Sequence, residues 1–167
     1  MGSGTSGLYA GTAGSSQPYA ESYGVVPEMH KRDREFAHIW KPNDGYGKNP
    51  TATDVEHSIE SGKVLIDGKP AHGKITFVVD MGGRLIIGKR RNPEKPGGRS
   101  PHPMLVGGKN PRVRMAGMIE FKNGRIYDFD SDSGHYRPPS QSKKEVLKVF
   151  DRLPNEVFHK TSKWRRR

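Results

Sequence analysis

Asn123-Gly124, set between the apolar runs 113–121 and 125–129, is the tightest conformational constraint in this chain. A two-residue loop of that composition accepts positive φ at both positions, and its twist matches that of two paired strands. The runs on either side are therefore expected to fold back on each other as an antiparallel hairpin. A second hairpin is expected where Gly82-Gly83 separates 75–80 from 85–88, both rich in β-branched and aliphatic residues. Val64-Leu65-Ile66, ended by Asp67-Gly68, reads as a further short strand.

Helices are expected on both sides of these hairpins. Pro27 suits the first turn of a helix over about 27–39, with Met29, Phe36 and Ile39 or Trp40 on one face. Thr53-Asp54-Val55-Glu56 has the form of a capping box, and Gly62 that of a left-handed cap closing the same helix. Ser142-Lys143-Lys144-Glu145 opens a last helix, in which Val146, Val149, Phe150 and Leu153 recur at helical spacing before Pro154. Antiparallel hairpins forming a small sheet, flanked by helices at both ends, define an α+β fold. The chain divides into a flexible Gly/Ser-rich entry segment over 1–18, one domain over 19–160 and a basic tail over 161–167.

Composition narrows the function. Only 31% of the 167 residues are apolar, below the roughly 45–50% of globular chains, so the core is modest and the loops are long. No run approaches the ~18 apolar residues of a membrane span. The N-terminus also lacks the apolar centre of a secretory signal, so a larger chain must deliver the domain if it acts elsewhere. The absence of cysteine excludes disulfides, thiol nucleophiles, thiolate metal sites and the cysteine-ligated zinc deaminases, and no metal site is assigned. A net charge of +11 favours a polyanionic partner, nucleic acid foremost.

Two polar clusters carry the candidate chemistry. His102 lies between Pro101 and Pro103, which forbid a regular helix there, and Gly107-Gly108 lets a ligand approach backbone N–H groups. Ser133-Gly134-His135-Tyr136 follows a strand directly, with a histidine that titrates near neutrality and a flat phenol beside it. Each also has a plain structural reading, as a turn histidine tying down a carbonyl and a tyrosine packed on the core. Lys89, Arg90, Arg91, Lys109, Arg112 and Arg114 surround the first cluster, where Glu94 is the only acid between 89 and 119. With Trp164 and Arg165 near the C-terminus they suit backbone tracking and base stacking, or else a solvated surface.

Over residues 74–159 the chain resembles the toxin domains that end bacterial Rhs-type polymorphic toxins. The likeness rests on Phe77-Val78-Val79-Asp80, Ile87-Gly88-Lys89, Pro101-His102-Pro103, Gly107-Gly108, Met115-Ala116-Gly117, Ser133-Gly134-His135-Tyr136-Arg137-Pro138 and Leu153-Pro154. More distantly it is similar to the plant IQ-motif calmodulin-binding proteins, which share the order His, Gly-Gly, Ala-Gly and Ser-Gly-His-Tyr-Arg-Pro. Leu8-Tyr9-Ala10-Gly11-Thr12 is similar to a strand motif of NAD-dependent ADP-ribosyltransferases, with Ala10 where that motif has His or Arg.

The toxin resemblance implies secretion within a larger protein, action in the recipient cell's cytoplasm and a cognate immunity protein. It also implies an ADP-ribosyltransferase-like activity that uses NAD as substrate, with RNA as acceptor, in a monomeric domain. For that chemistry Tyr136 would stack on nicotinamide or ribose, and His102 or His135 would hold ribose hydroxyls. Tyr9, Gly107, Gly108, Ser133 and Arg90 would hold the rest of NAD, while Glu120 or Asp80 would steady the ribosyl cation. A metal-independent ribonuclease would use His102 and His135 as base and acid, with Arg90 or Lys89 on the phosphate. A binding module would use none of them chemically. Both catalytic readings require His102 and His135 to converge on one pocket lined with positive charge.

Overall fold

The hairpin turns form where the sequence places them. In a computed structural model describing residues 8–9, 21–91 and 98–166, Asn123 and Gly124 adopt φ of 50° and 82°. Asp67 and Gly68 do the same at 55° and 77°. Helix α1 (Pro27–Asp33) leads into a small ribbon of β1 (Trp40–Lys41) and β2 (Gly45–Tyr46). After β3 (Thr53–Asp54), strands β4 (Ile59–Glu60), β5 (Lys63–Ile66) and β6 (Lys69–Pro70) make a three-stranded sheet. The long strands follow: β7 (Gly73–Asp80), β8 (Leu85–Gly88), β9 (Val113–Lys122) and β10 (Arg125–Phe129), then helix α2 (Lys144–Phe150). The main sheet runs β10-β9-β7-β8-β3, and every pairing is antiparallel. The fold is α+β.

Both faces of this sheet are covered, which is why β7 is buried along most of its length instead of alternating. On one face Phe77, Val79, Met115, Ile119 and Phe129 pack with Val146, Val149 and Phe150 of α2. On the other, Val78, Ile86 and Ala116 pack with Leu105, Val106 and Tyr136 from loops. The candidate site lies on this second, loop-covered face.

Three expected elements differ. The helix expected over 27–39 ends at Asp33, whose side chain turns inward to Tyr46 and His135. Phe36 is thereby left 42% exposed, while Ile39 packs with Tyr46 and Met104. No α-helix follows Thr53, because Thr53 and Asp54 pair with Ile87 and Ile86 of β8. Asp54 caps a short 3-10 turn, Val55–His57, by accepting from the Glu56 N–H, and Gly62 (φ 76°) closes a hairpin turn. Ser142 does not cap α2. Its hydroxyl donates to the Pro139 carbonyl inside a 3-10 turn that leads into the helix.

The C-terminal segment is not a free tail as far as Arg166. Trp164 packs against Phe129 and Phe150 and donates from Nε1 to Asp128 at 2.9 Å. Arg166 donates to the Phe150 and Leu153 carbonyls at 3.2 and 2.9 Å, closing the end of α2. The entry segment lies outside the described residues except for Leu8 and Tyr9. We expect Trp164→Ala to cost about 2–3 kcal/mol, read as a lower urea midpoint at unchanged slope. A tail that only tracks nucleic acid would leave the midpoint where it is.

Candidate functional site

The cleft is built on one rung of the sheet. Thr76 of β7 is paired with Met118 of β9, and both line its floor. One wall is the 3-10 turn His102–Leu105, which the flanking prolines start and the Met104 N–H to Pro101 carbonyl bond closes. Leu105 sits so close to β8 that a Cβ on Gly88 would lie 2.4 Å from its Cδ2, so the turn is clamped to the sheet.

His102 is buried and donates from Nε2 to the Gly117 carbonyl at 2.8 Å. A carbonyl only accepts, so Nε2 carries the proton of the neutral ring and Nδ1 is left as an acceptor. Burial pushes its pKa down to about 4, which the Gly117 carbonyl only partly offsets. Gly117 is itself required. A Cβ there would meet the Asp130 carbonyl oxygen at 1.9 Å, where only backbone could move aside.

The opposite wall is the turn after β10. The Arg137 N–H donates to the Ser133 carbonyl at 2.7 Å, with Arg137 at φ 45°. His135 points away from this turn to α1, where Nε2 donates to Asp33 Oδ2 at 3.1 Å. Asp33 also accepts from the Tyr46 hydroxyl at 2.5 Å. All three residues are buried, so a Tyr46–Asp33–His135 chain fixes the ring and leaves its Nδ1 as the unassigned nitrogen.

Arg90, Arg99 and Asp132 complete the lining with the two histidines. The Ser100 N–H donates to the Arg90 carbonyl at 2.7 Å, and Arg91 bridges Arg99, which draws the two arginine-bearing stretches together. The cleft holds about 220 Å³. That is below the ~300–1,000 Å³ of pockets that enclose a whole small ligand, so it has room for only part of one.

Several expected residues lie elsewhere. Tyr136 cannot stack on a ligand: it is 3% exposed, its hydroxyl donates to the Pro111 carbonyl, and burial raises its pKa, so it stays a neutral phenol. The N–H groups of Gly107 and Gly108 donate to the Pro103 and Tyr46 carbonyls, which removes them as a phosphate cradle. Ser133 accepts from the Tyr136 N–H through its hydroxyl and is buried in the turn.

Asp80 is fully buried. It accepts from the Gly82 and Arg84 N–H groups, Arg84 Nε and the Tyr9 hydroxyl, and so fixes the β7–β8 turn with Tyr9 instead of facing the cleft. Glu120 lines a separate groove with His72, Lys122, Arg125 and His159.

Lys89 is half-buried, its backbone N–H and carbonyl held by Thr51 and Asn49. Arg112 holds Ser22, Arg114 pairs with Glu145 at 3.6 Å, and Arg165 donates to the Phe158 carbonyl. Trp164 is in the core packing. Arg91 and Lys109 are exposed, as are Arg90 and Arg112.

Asp33, Tyr46 and Asp132 had no sequence signal, since their roles depend on partners distant in the chain. Arg99 was visible only as one cation in a basic run. No family model, curated protein or solved structure matches the chain. Among the described residues no helix is long and apolar enough to cross a membrane.

His102 makes stability depend on pH in a defined direction. Its folded pKa lies below the unfolded value of 6.5, so the unfolded chain binds the extra proton as the pH falls. Stability is full above about pH 6.5 and declines by roughly 3 kcal/mol toward pH 4. Urea midpoints taken across this range should fall less steeply in His102→Gln than in the parent, and parallel slopes would refute the assignment.

Proposed function

We propose that this domain transfers ADP-ribose from NAD to an acceptor, RNA being the acceptor its charge suits, as the toxic end of a larger secreted protein. The observation that carries the reading is the gathering of His102, His135, Arg90, Arg99 and Asp132 in one cleft. The resemblance of 74–159 to Rhs-type toxin domains supports the delivery, the recipient cytoplasm as site of action and a cognate immunity protein.

In this chemistry the bond between ribose C1′ and nicotinamide breaks, and its electron pair leaves with neutral nicotinamide. An acceptor oxygen or nitrogen bonds to C1′ and gives up its proton. Arg90 and Arg99 suit the pyrophosphate. Asp132, at the exposed rim, is the carboxylate available to steady the positive ribose, a task that falls to neither Glu120 nor Asp80. His135, oriented by Asp33, suits a ribose hydroxyl or the departing proton through Nδ1.

The same cleft also favours one second reading, cleavage of RNA by His102 and His135. That route needs one imidazole protonated and ready to donate. With a pKa of about 4, only about one His102 in a thousand is protonated at pH 7, so the acid's part would fall to His135 alone. Transfer asks for no such acid, because nicotinamide leaves unprotonated.

Labelled NAD incubated with the domain and total RNA, then with protein, tests the proposal. Label is expected on RNA, falling about 10²–10³-fold in Asp132→Asn and by at least about 10-fold in Asp33→Asn. RNA shortened without NAD would establish the second reading, and neither label nor cleavage would leave a binding module.

A further inference from the structure

The groove that Glu120 lines is built on the β9–β10 turn. The Gly124 N–H donates to the Ala71 carbonyl at 2.6 Å, and its carbonyl accepts from the Val64 N–H at 2.8 Å. Those two bonds hold β5 and the approach to β7 against the turn. Gly124 (φ 82°) is hemmed in there, since a Cβ would lie 2.7 Å from Lys63 Cβ. Lys63, His72, Lys122, Arg125 and His159 are thereby gathered around an open groove of about 420 Å³.

Three observations give this groove a preference for an anion. The register sets Lys122 directly opposite Arg125. Like charges facing each other on paired strands cost stability, and an anion between them removes that cost. The side chains of Lys63, Lys122 and Arg125 also have no carboxylate or carbonyl partner among the described residues, unlike Arg112, Arg114, Arg165 and Arg166. Lys122 instead lies 3.5 Å from the Tyr127 ring centroid. Finally, both imidazoles are set as donors. Nδ1 of His72 accepts from the Asn123 N–H at 3.0 Å, and Nδ1 of His159 from the Thr161 N–H at 3.2 Å. The neutral rings therefore carry their protons on Nε2.

Three cations and two N–H donors match the oxygens of a phosphate. Glu120 is the one carboxylate in the lining, and its register partner on β7 is the exposed Lys74, which offsets it. Phe121, the one apolar side chain in the lining, is 1% exposed, so the groove has nothing to insert into a lipid surface. Lys74–Glu120 is also the next rung after Thr76–Met118 on the same face of the sheet, about 7 Å further along β7. Lys74 is exposed and Met118, Glu120 and Lys122 are only partly buried, so this face stays accessible from the cleft to the groove.

We infer that the groove is a second anion site, holding a phosphodiester of a single RNA strand whose target nucleotide lies at the cleft. Recognition of phosphate stands on the groove alone. The choice of RNA over free phosphate as its source rests on the proposed function.

Anisotropy titration of the full chain with a labelled single-stranded RNA, repeated over a range of salt concentrations, tests this. Lys63→Gln combined with Lys122→Gln should weaken binding at least about 10-fold. It should also lower the slope of log K against log salt by about 1.4, two contacts at about 0.7 each. Glu120→Gln should tighten binding about 3-fold, a gain that unfolding cannot mimic. Lys41→Gln combined with Lys144→Gln removes the same charge from outside the groove and should cost less than about 3-fold. Equal losses in the two double variants, or no gain in Glu120→Gln, overturn the site. Calorimetry with inorganic phosphate separates the sources, and phosphate binding as tightly as RNA overturns the RNA assignment. RNA binding that depends on the groove in a parent that moves no label from NAD keeps the site and refutes the transfer. Label reaching RNA undiminished in the Lys63→Gln, Lys122→Gln variant keeps the transfer and overturns the groove.

Discussion

The pairing of β7 with β9 sets Val78 opposite Ala116 and Thr76 opposite Met118, two successive rungs on the same face of the sheet. Tyr136 belongs to the apolar cluster that covers the first rung, and His135 reaches the cleft over the second. Adjacent residues of one turn thus serve opposite ends: one closes the core and the other opens the site. A slip of one residue in this register would turn both rungs toward α2 and leave the loops without a floor. The glycine at 117 protects that register, because its carbonyl anchors His102 while the Asp130 backbone occupies the space where a side chain would be.

Around this floor the molecule spends polar groups on holding other polar groups. Asp33 is the clearest case, a buried carboxylate that receives Tyr46 and His135 from two separate segments. Such a group is favourable only when its partners are in place, so α1, the β1–β2 ribbon and the turn after β10 must arrive together. His102 behaves in the complementary way, kept neutral by burial and oriented by one carbonyl. One imidazole is therefore organised through an anion and the other through a dipole, and the two are not interchangeable as acid and base.

What the sequence disclosed was local. Asn123-Gly124 and Asp67-Gly68 act within a few residues, so turns and the strands beside them were readable. Thr53-Asp54-Val55-Glu56 has the letters of a capping box, but pairing with β8, which no local pattern encodes, claims its first two residues. The two histidines were legible because proline and glycine neighbours mark a constrained loop. Tyr136 and Gly107-Gly108 were misread for the converse reason. A buried phenol and a stacking phenol look alike in sequence, and backbone N–H groups reveal nothing of whether another strand has already bonded them.

The basic charge divides along the same lines. Arg112, Arg114, Arg165 and Arg166 each hold a carbonyl, hydroxyl or carboxylate of the fold, so a share of the +11 is structural. Arg90 and Arg99 differ because they meet at a cleft that also contains His102, His135 and Asp132. Two cations with a carboxylate in a space of about 220 Å³ are poorly suited to a smooth polyanion, for which Asp132 would be repulsive. They suit a ligand that is anionic at one end and develops positive charge at the other. That polarity matches the proposed departure of neutral nicotinamide from NAD, which moves the positive charge from the ring onto the ribose, and it is the physical reason to rank ADP-ribosyl transfer above simple strand cleavage in this cleft.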